Sequence, residues 1–428
     1  MKTLNNFALF FFCITPLTLV IGPAIADINI VSLSIIFLIF CIIYKKWEYL
    51  KKNYFLIFLI FCLYLIFTSL ISLNPLHSLE SSLFYFRFGL FVLAINYILE
   101  NHHHSIKYFS LIIILITVLV SFDAIIEYFS YYSIINLFFE KDYSISGRIS
   151  GLFKDEFILG SYLIRLLPLS IGLIYFLKIK NDLKRYLIFF YVFFISIAVL
   201  ISGERTAIFM LLMFYFLTLL VFKKINKEYL FSLIVIPIIA LTLLSSNSAF
   251  KNRIINKTYS DILSKEESSS DNLYKINFFS IQHEVIYKTS IKIFNDNKYF
   301  GIGPKMFREI CKNEKYHTYT ELDRSINGCQ SHPHNTYIQI LTETGIFGFI
   351  FFSYLYLFFL IKFLKFIFNK KFNLTEPNTL LNIFCSISII INFWPFIPTG
   401  NFFNNWLSVI YYLPISFYIY SLNKRTYK

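Results

Sequence analysis

Along most of its 428 residues the chain repeats one pattern: an apolar run, then a short loop carrying Lys and Arg. Many of the runs reach about the 20 residues that a helix needs to cross the hydrocarbon core of a bilayer. The chain is 57% hydrophobic and only 15% charged, against about 25% charged residues in a soluble domain. These features define a polytopic membrane protein. The formal net charge of +14 does not indicate nucleic-acid binding. The basic residues sit in short loops between apolar runs, which is the positive-inside pattern.

Twelve candidate spans are predicted near 6–26, 28–44, 54–73, 83–99, 106–127, 157–177, 186–202, 205–222, 229–246, 340–361, 379–398 and 404–421. The Lys- and Arg-bearing segments 45–52, 178–185, 223–228, 362–371 and 423–428 all fall on one side, which the charge rule assigns to the cytoplasm. Twelve spans then put both termini there and leave 74–82, 128–156, 202–205, 247–339 and 393–403 on the periplasmic or outer side. AIAD (24–27) resembles a signal-peptidase site. Because the chain runs straight on into a second apolar span, the expectation is an uncleaved first helix.

Only the segment 247–339 is large enough to fold outside the bilayer. The organisation expected is therefore 1–246 as nine transmembrane helices, 247–339 as a periplasmic loop region, and 340–428 as three further helices with a cytoplasmic tail. Within the loop, KEESSSDN (265–272) reads as mobile, 281–296 as a helix from its apolar spacing, and GIGP (301–304) as a turn. Asn335–Glu343 reads as helical, ending at Gly345. Cys13, Cys41, Cys62 and Cys385 lie in apolar runs. Cys311 and Cys329 both lie in the long loop, where free thiols and a disulfide are both open readings. An oxidising compartment would permit the bond, worth about 3 kcal/mol for a loop of this size.

Several polar residues face the outer side. In SHPHN (331–335), His334 can accept a proton or hold an anion, or simply cap a helix. His332 is set apart from the following helix by Pro333, and Asn335 either positions His334 or caps the helix itself. Arg205, in the short turn SGERTAI (202–208), is either a phosphate-binding fork or a loop charge at headgroup level. Arg148, with Lys154, Asp155 and Glu156, precedes a span that carries Arg165 about two turns in. An intramembrane arginine is used or paired; Asp123 and Glu127 are the candidate partners for Arg165 and Arg87. Lys305 and Arg308 are anion contacts or surface charges. His102–His104 reads as a solvated loop. No metal-ligand set is apparent on this face.

Four pieces in order, RISGLFKDEFILGSYL (148–163), SGERTA (202–207), FNDNKYFGIGPKMFR (294–308) and HPHNTYIQILTETGIFG (332–348), with NFFNNW (401–406), resemble the O-antigen ligase/polymerase superfamily of membrane glycosyltransferases. The resemblance covers roughly residues 80–421. It implies an all-α, GT-C-like membrane fold of about twelve helices with one large periplasmic loop between helices nine and ten. It also implies an inner-membrane enzyme that takes a glycan from undecaprenyl diphosphate to an acceptor hydroxyl, such as lipid A-core, with inversion and without a metal or cofactor. The family histidine maps onto His334 and the family arginine onto Arg205. Arg148, Arg165, His283, His332, Asn335 and Lys305 are the substrate-binding candidates. Where the family often carries a further basic residue, this chain has His283, with Lys288 nearby. Two other acceptors would fit the same chemistry: a second lipid-linked chain in a polymerase, or a protein hydroxyl in an O-oligosaccharyltransferase. A twelve-span transporter would need two related halves, which the sequence does not show.

Overall fold

The computed structural model describes residues 2–102, 104–130, 132–134, 147–222, 238, 242, 248–265, 274–276, 278–319, 327–368 and 375–426. Nine helices come first: α1 (Lys2–Ile21), α2 (Pro23–Ile43), α3 (Asn53–Leu70), α4 (Pro75–Ser82), α5 (Arg87–Asn101), α6 (Ser105–Ser130), α7 (Leu159–Ile174), α8 (Asn181–Ile201) and α9 (Arg205–Val221). After them come a loop helix (Ile281–Asp296), a broken helix (Thr336–Phe368), a penultimate helix (Pro377–Asn392) and a last helix (Asn405–Thr426). A three-residue antiparallel ladder, β1 (Leu263–Lys265) with β2 (Tyr274–Ile276), departs from the otherwise helical architecture.

Seven described helical stretches are long and apolar enough to cross a membrane: α1, α2, α3, α4 with α5, α6, α8 and the broken helix. Three shorter apolar helices, α7, α9 and the penultimate helix, accompany them. The span expected at 229–246 lies outside the described residues, apart from 238 and 242, as does most of KEESSSDN. AIAD forms part of the first turns of α2.

The short helices are the inner ones. Every residue of α7 except Ser161 is buried, and so is the penultimate helix from Thr379 to Asn392. A helix that is apolar all round belongs inside a bundle. By contrast, α3 leaves Ile57, Ile60 and Leu63 exposed, a surface suited to lipid. Inside the bundle, hydroxyls return their protons to their own helix: Ser110 Oγ donates to Ile106 O at 2.6 Å and Thr117 Oγ1 to Ile113 O at 2.7 Å. These two hydroxyls are thereby not left for lipid to satisfy.

The two ends of the bundle differ in kind. At one end Tyr49 and Asn423 both bond the Glu100 carboxylate, next to the basic loop 45–52. At the other end Arg87 Nε donates to Asp27 Oδ1 at 2.9 Å, and its Nη2 donates to Asn405 Oδ1 at 2.8 Å. The first turns of α2, α5 and the last helix therefore meet there. This second end also carries the starts of α7, α9 and the broken helix.

Candidate functional site

The turn SGER is the organising piece. Ser202 ends α8, and its carbonyl accepts from Ile149 N at 3.2 Å. Gly203 has φ 67°, and a Cβ there would lie 2.2 Å from Gly147 O, so only glycine lets the two backbones approach this closely. Glu204 is 5% exposed. Its carboxylate accepts from Gly160 N at 2.6 Å and from Ser161 Oγ at 2.7 Å. It therefore caps the start of α7, where the helix dipole favours negative charge. Burial nevertheless raises its pKa above the usual carboxylate range.

Arg205 is the first residue of α9. Its Nη1 donates to Asp261 Oδ2 at 2.8 Å and to Thr258 Oγ1 at 3.2 Å. Arg253, which the sequence reading passed over, donates from Nε to Gly203 O at 2.9 Å. Burial, followed by the charges of Arg148 and Arg205, pushes Arg253 down to about 10. Arg148 lies over the Phe157 ring at 5.1 Å. Its pKa is also lowered, first by burial, with Glu204 opposing and Arg205 adding to the shift. Three guanidiniums thus share the neighbourhood of one buried carboxylate.

The histidines form a second group. His334 stands at φ 56°, a left-handed conformation uncommon outside glycine. Thr399 N holds its carbonyl at 2.9 Å. Asn335 then caps the broken helix through Oδ1, which accepts from Tyr337 N at 2.9 Å and Ile338 N at 3.1 Å. Its amide donates to Pro395 O at 2.7 Å. Asn335 is therefore buried and fully engaged, and it fixes the start of the helix beside His334. The His334 ring lies 3.9 Å from that of His332 and 5.8 Å from that of His283, between centroids. Among the described residues nothing hydrogen-bonds its ring nitrogens. His283 bonds Ser280 Oγ through Nδ1 at 2.7 Å. It also lies within electrostatic reach of both His334 and Arg205, which makes it the link between the two groups.

All three imidazoles are held neutral near pH 7. Burial comes first in each case: it lowers His334 below its ordinary 6.5, and with neighbouring cations it brings His283 to about 4 and His332 to about 3.

The broken helix is interrupted at Gly345, at φ 68° and ψ −169°. Ile346 N donates to Lys298 O, and Gly303 N to Glu343 O, each at 2.8 Å. The GIGP turn therefore fills the break. Beyond it, a disulfide joins Cys311 to Cys329.

Arg165 is placed apart from these groups. It is 3% exposed, its Nη1 donates to Asn392 Oδ1 at 2.9 Å, and it lies 5.7 Å over the Tyr411 ring. Its partner is thus an amide of the penultimate helix. Asp123 takes Ser133 Oγ, and Glu127 takes Gly151 N at 2.6 Å. Arg87 pairs with Asp27. His102 and His104 flank the far end of α5, away from the site.

Residues 190–353 match the family model described as O-antigen ligase. Over this stretch the chain is similar to the O-antigen ligase family. Its matched segment opens within α8 and closes just past the Gly345 break. The matched segment includes Arg205, Arg253, His283, Lys305, His332 and His334, while Arg148 and Arg165 precede it. No curated protein matches the chain significantly.

Arg253 was hidden for a physical reason. In NRIINK it reads as one more loop cation. Its place depends on a contact with Gly203, fifty residues away, that no local pattern encodes.

Proposed function

We propose that the protein is an O-antigen ligase-type glycosyltransferase acting at the periplasmic face of the inner membrane. The observation that carries this reading is His334: a neutral imidazole with unbonded ring nitrogens, linked through His283 to an arginine group, inside the O-antigen ligase match. The donor is a glycan on undecaprenyl diphosphate, and the acceptor is a hydroxyl of lipid A-core or a similar glycolipid.

In the reaction, the acceptor oxygen forms a bond to the anomeric carbon while the bond from that carbon to the diphosphate breaks, with inversion. The hydroxyl proton passes to His334, and the bonding pair leaves with the lipid diphosphate. Arg205 changes partner from Asp261 to a phosphate oxygen. Arg148 and Arg253 add charge where it develops on the leaving group, a role worth most in a site shielded from water. His283 keeps the two groups in register. Arg165 supports the site from within the bundle.

The test is glycan transfer by purified protein in lipid nanodiscs, with the lipid-linked donor and a hydroxyl acceptor. His334→Ala should lower the rate by about 10²–10⁴-fold, the usual worth of a positioned base. Full transfer by a correctly inserted His334→Ala protein would overturn the assignment. In cells, deletion should strand full-length glycan on the carrier lipid. Single repeat units on the final acceptor would instead indicate a polymerase, and lost solute uptake with normal glycolipids would indicate a transporter.

A further inference from the structure

Two basic side chains in the loop that leads to the histidines have no part in the reaction above. Lys305 follows the GIGP turn and stands at φ 60°, a strained conformation for a residue other than glycine. The turn before it is anchored by Ser78 Oγ, which donates to Pro304 O at 2.9 Å. Three residues on, Arg308 is half-buried, and its Nε has no hydrogen-bond partner. Among the described residues neither Lys305 nor Arg308 closes an ion pair. Glu343 and Glu80 lie only within electrostatic reach of Lys305, and Glu343 is already engaged by Gln339 Nε2 at 2.9 Å and by Phe307 N at 3.4 Å. By contrast, Arg205 and Arg87 each hold an aspartate.

A half-buried guanidinium without a counter-charge is costly unless something supplies one. Its place is also fixed. The Cys311–Cys329 disulfide joins the turn after Arg308 to the segment that leads into His332. His332 in turn lies within electrostatic reach of Arg308 and packs on His334. Arg205 approaches the histidines by way of His283, whereas Arg308 approaches them by way of His332.

We propose that Lys305 and Arg308 form a second anion subsite, which holds a phosphate ester on the acceptor. The inference rests on the reading of His334 as the base that faces the acceptor. The donor brings one anionic group, its diphosphate, and the arginine group beside His283 takes it. A second uncompensated basic pair on the other flank of the base then belongs to the second substrate. The acceptor class is a phosphorylated glycolipid, oriented by its phosphate so that a neighbouring hydroxyl meets His334.

Binding tests this without any transfer step. Full-length protein in nanodiscs is titrated, with no donor present, with two synthetic glycolipid acceptors that differ only in one phosphate ester. The wild type should bind the phosphorylated acceptor about tenfold more tightly. Lys305→Gln/Arg308→Gln should erase the preference, and Arg205→Gln should keep it. In the wild type, saturating undecaprenyl diphosphate should leave the preference intact, a measurement that needs no variant to fold. Equal binding of the two acceptors, survival of the preference in the double variant, its loss in Arg205→Gln, or its abolition by undecaprenyl diphosphate would each overturn the proposal. His334→Ala should lose transfer yet keep the binding preference. Full transfer by that variant would sink the base assignment alone, leaving the subsite to be judged on binding.

Discussion

A histidine can serve as a base only if it is unprotonated, reachable and held still. His334 meets the first condition through burial, which lowers its pKa, and the second through ring nitrogens that no described residue bonds. The third comes from the Thr399 bond to its carbonyl and from Asn335 behind it. The sign of the pH dependence follows. All three histidines bind protons more weakly in the fold than in the unfolded chain, so their contribution to stability is complete above about pH 6.5. It declines as pH falls from 6.5 towards the values of about 4 and 3 held by His283 and His332. Transfer should therefore persist below pH 6.5, with the acid limb of a rate–pH profile displaced downward from the ordinary histidine value. An acid limb centred at or above 6.5 would contradict a neutral, buried base. Arg205→Gln should cost about 10²–10³-fold in turnover, on the scale of losing one donor to a developing charge. Arg253→Gln should cost less in turnover and should also loosen the Gly203 turn, seen as a lower melting temperature. The candidacy of His334 and Arg205 could be read from the sequence because polar residues at the edge of an apolar run have few roles open to them, whereas the approach of His283 to both groups could not, because it depends on how distant segments pack. The cap by Asn335 was among the readings, but Arg253 and the Asn335 bond to Pro395 were not legible, because both depend on carbonyls from distant segments.

At the scale of the element, the sequence patterns that worked were local ones. The loop helix at 281–296 and the GIGP turn follow from spacing and punctuation, and the structure has both. The partners of the intramembrane charges did not follow. Asp123 and Glu127 read as counter-ions, but the structure gives them Ser133 and the Gly151 backbone, while Arg87 takes Asp27 and Arg165 takes Asn392. Such pairings depend on which helices become neighbours, and periodicity carries no information about that. The break at Gly345 yields a specific prediction. A Cβ there would lie 2.2 Å from Tyr299 O, at a backbone angle that side chains rarely adopt. Gly345→Ala should therefore destabilise the protein by more than the 1–3 kcal/mol that such backbone strain alone costs. A thermal melt of the purified variant would show it, and an unchanged melting temperature would mean that the helix is not held open there.

For the whole molecule, the question is which end faces which compartment. If the basic loops are cytoplasmic, a cysteine placed at Lys46 should resist a membrane-impermeant thiol reagent in intact cells, while one placed at Ser331 should react; the reverse pattern would invert the orientation. The bundle itself was readable because burial of apolar runs in lipid leaves few alternatives, although helices as short as α7 show that an inner helix need not match the thickness of the membrane. The Cys311–Cys329 bond carries a further consequence. Thiols stay reduced in the cytosol and pair outside it. On the proposed orientation, the segment leading to His332 and His334 is thus tied in place only after the loop has crossed the membrane. A chain stalled during insertion, or threaded the wrong way round, keeps its histidine arm untethered. If the loop faces the periplasm as proposed, the bond records delivery, and the histidine arm comes to full order only in that oxidising compartment.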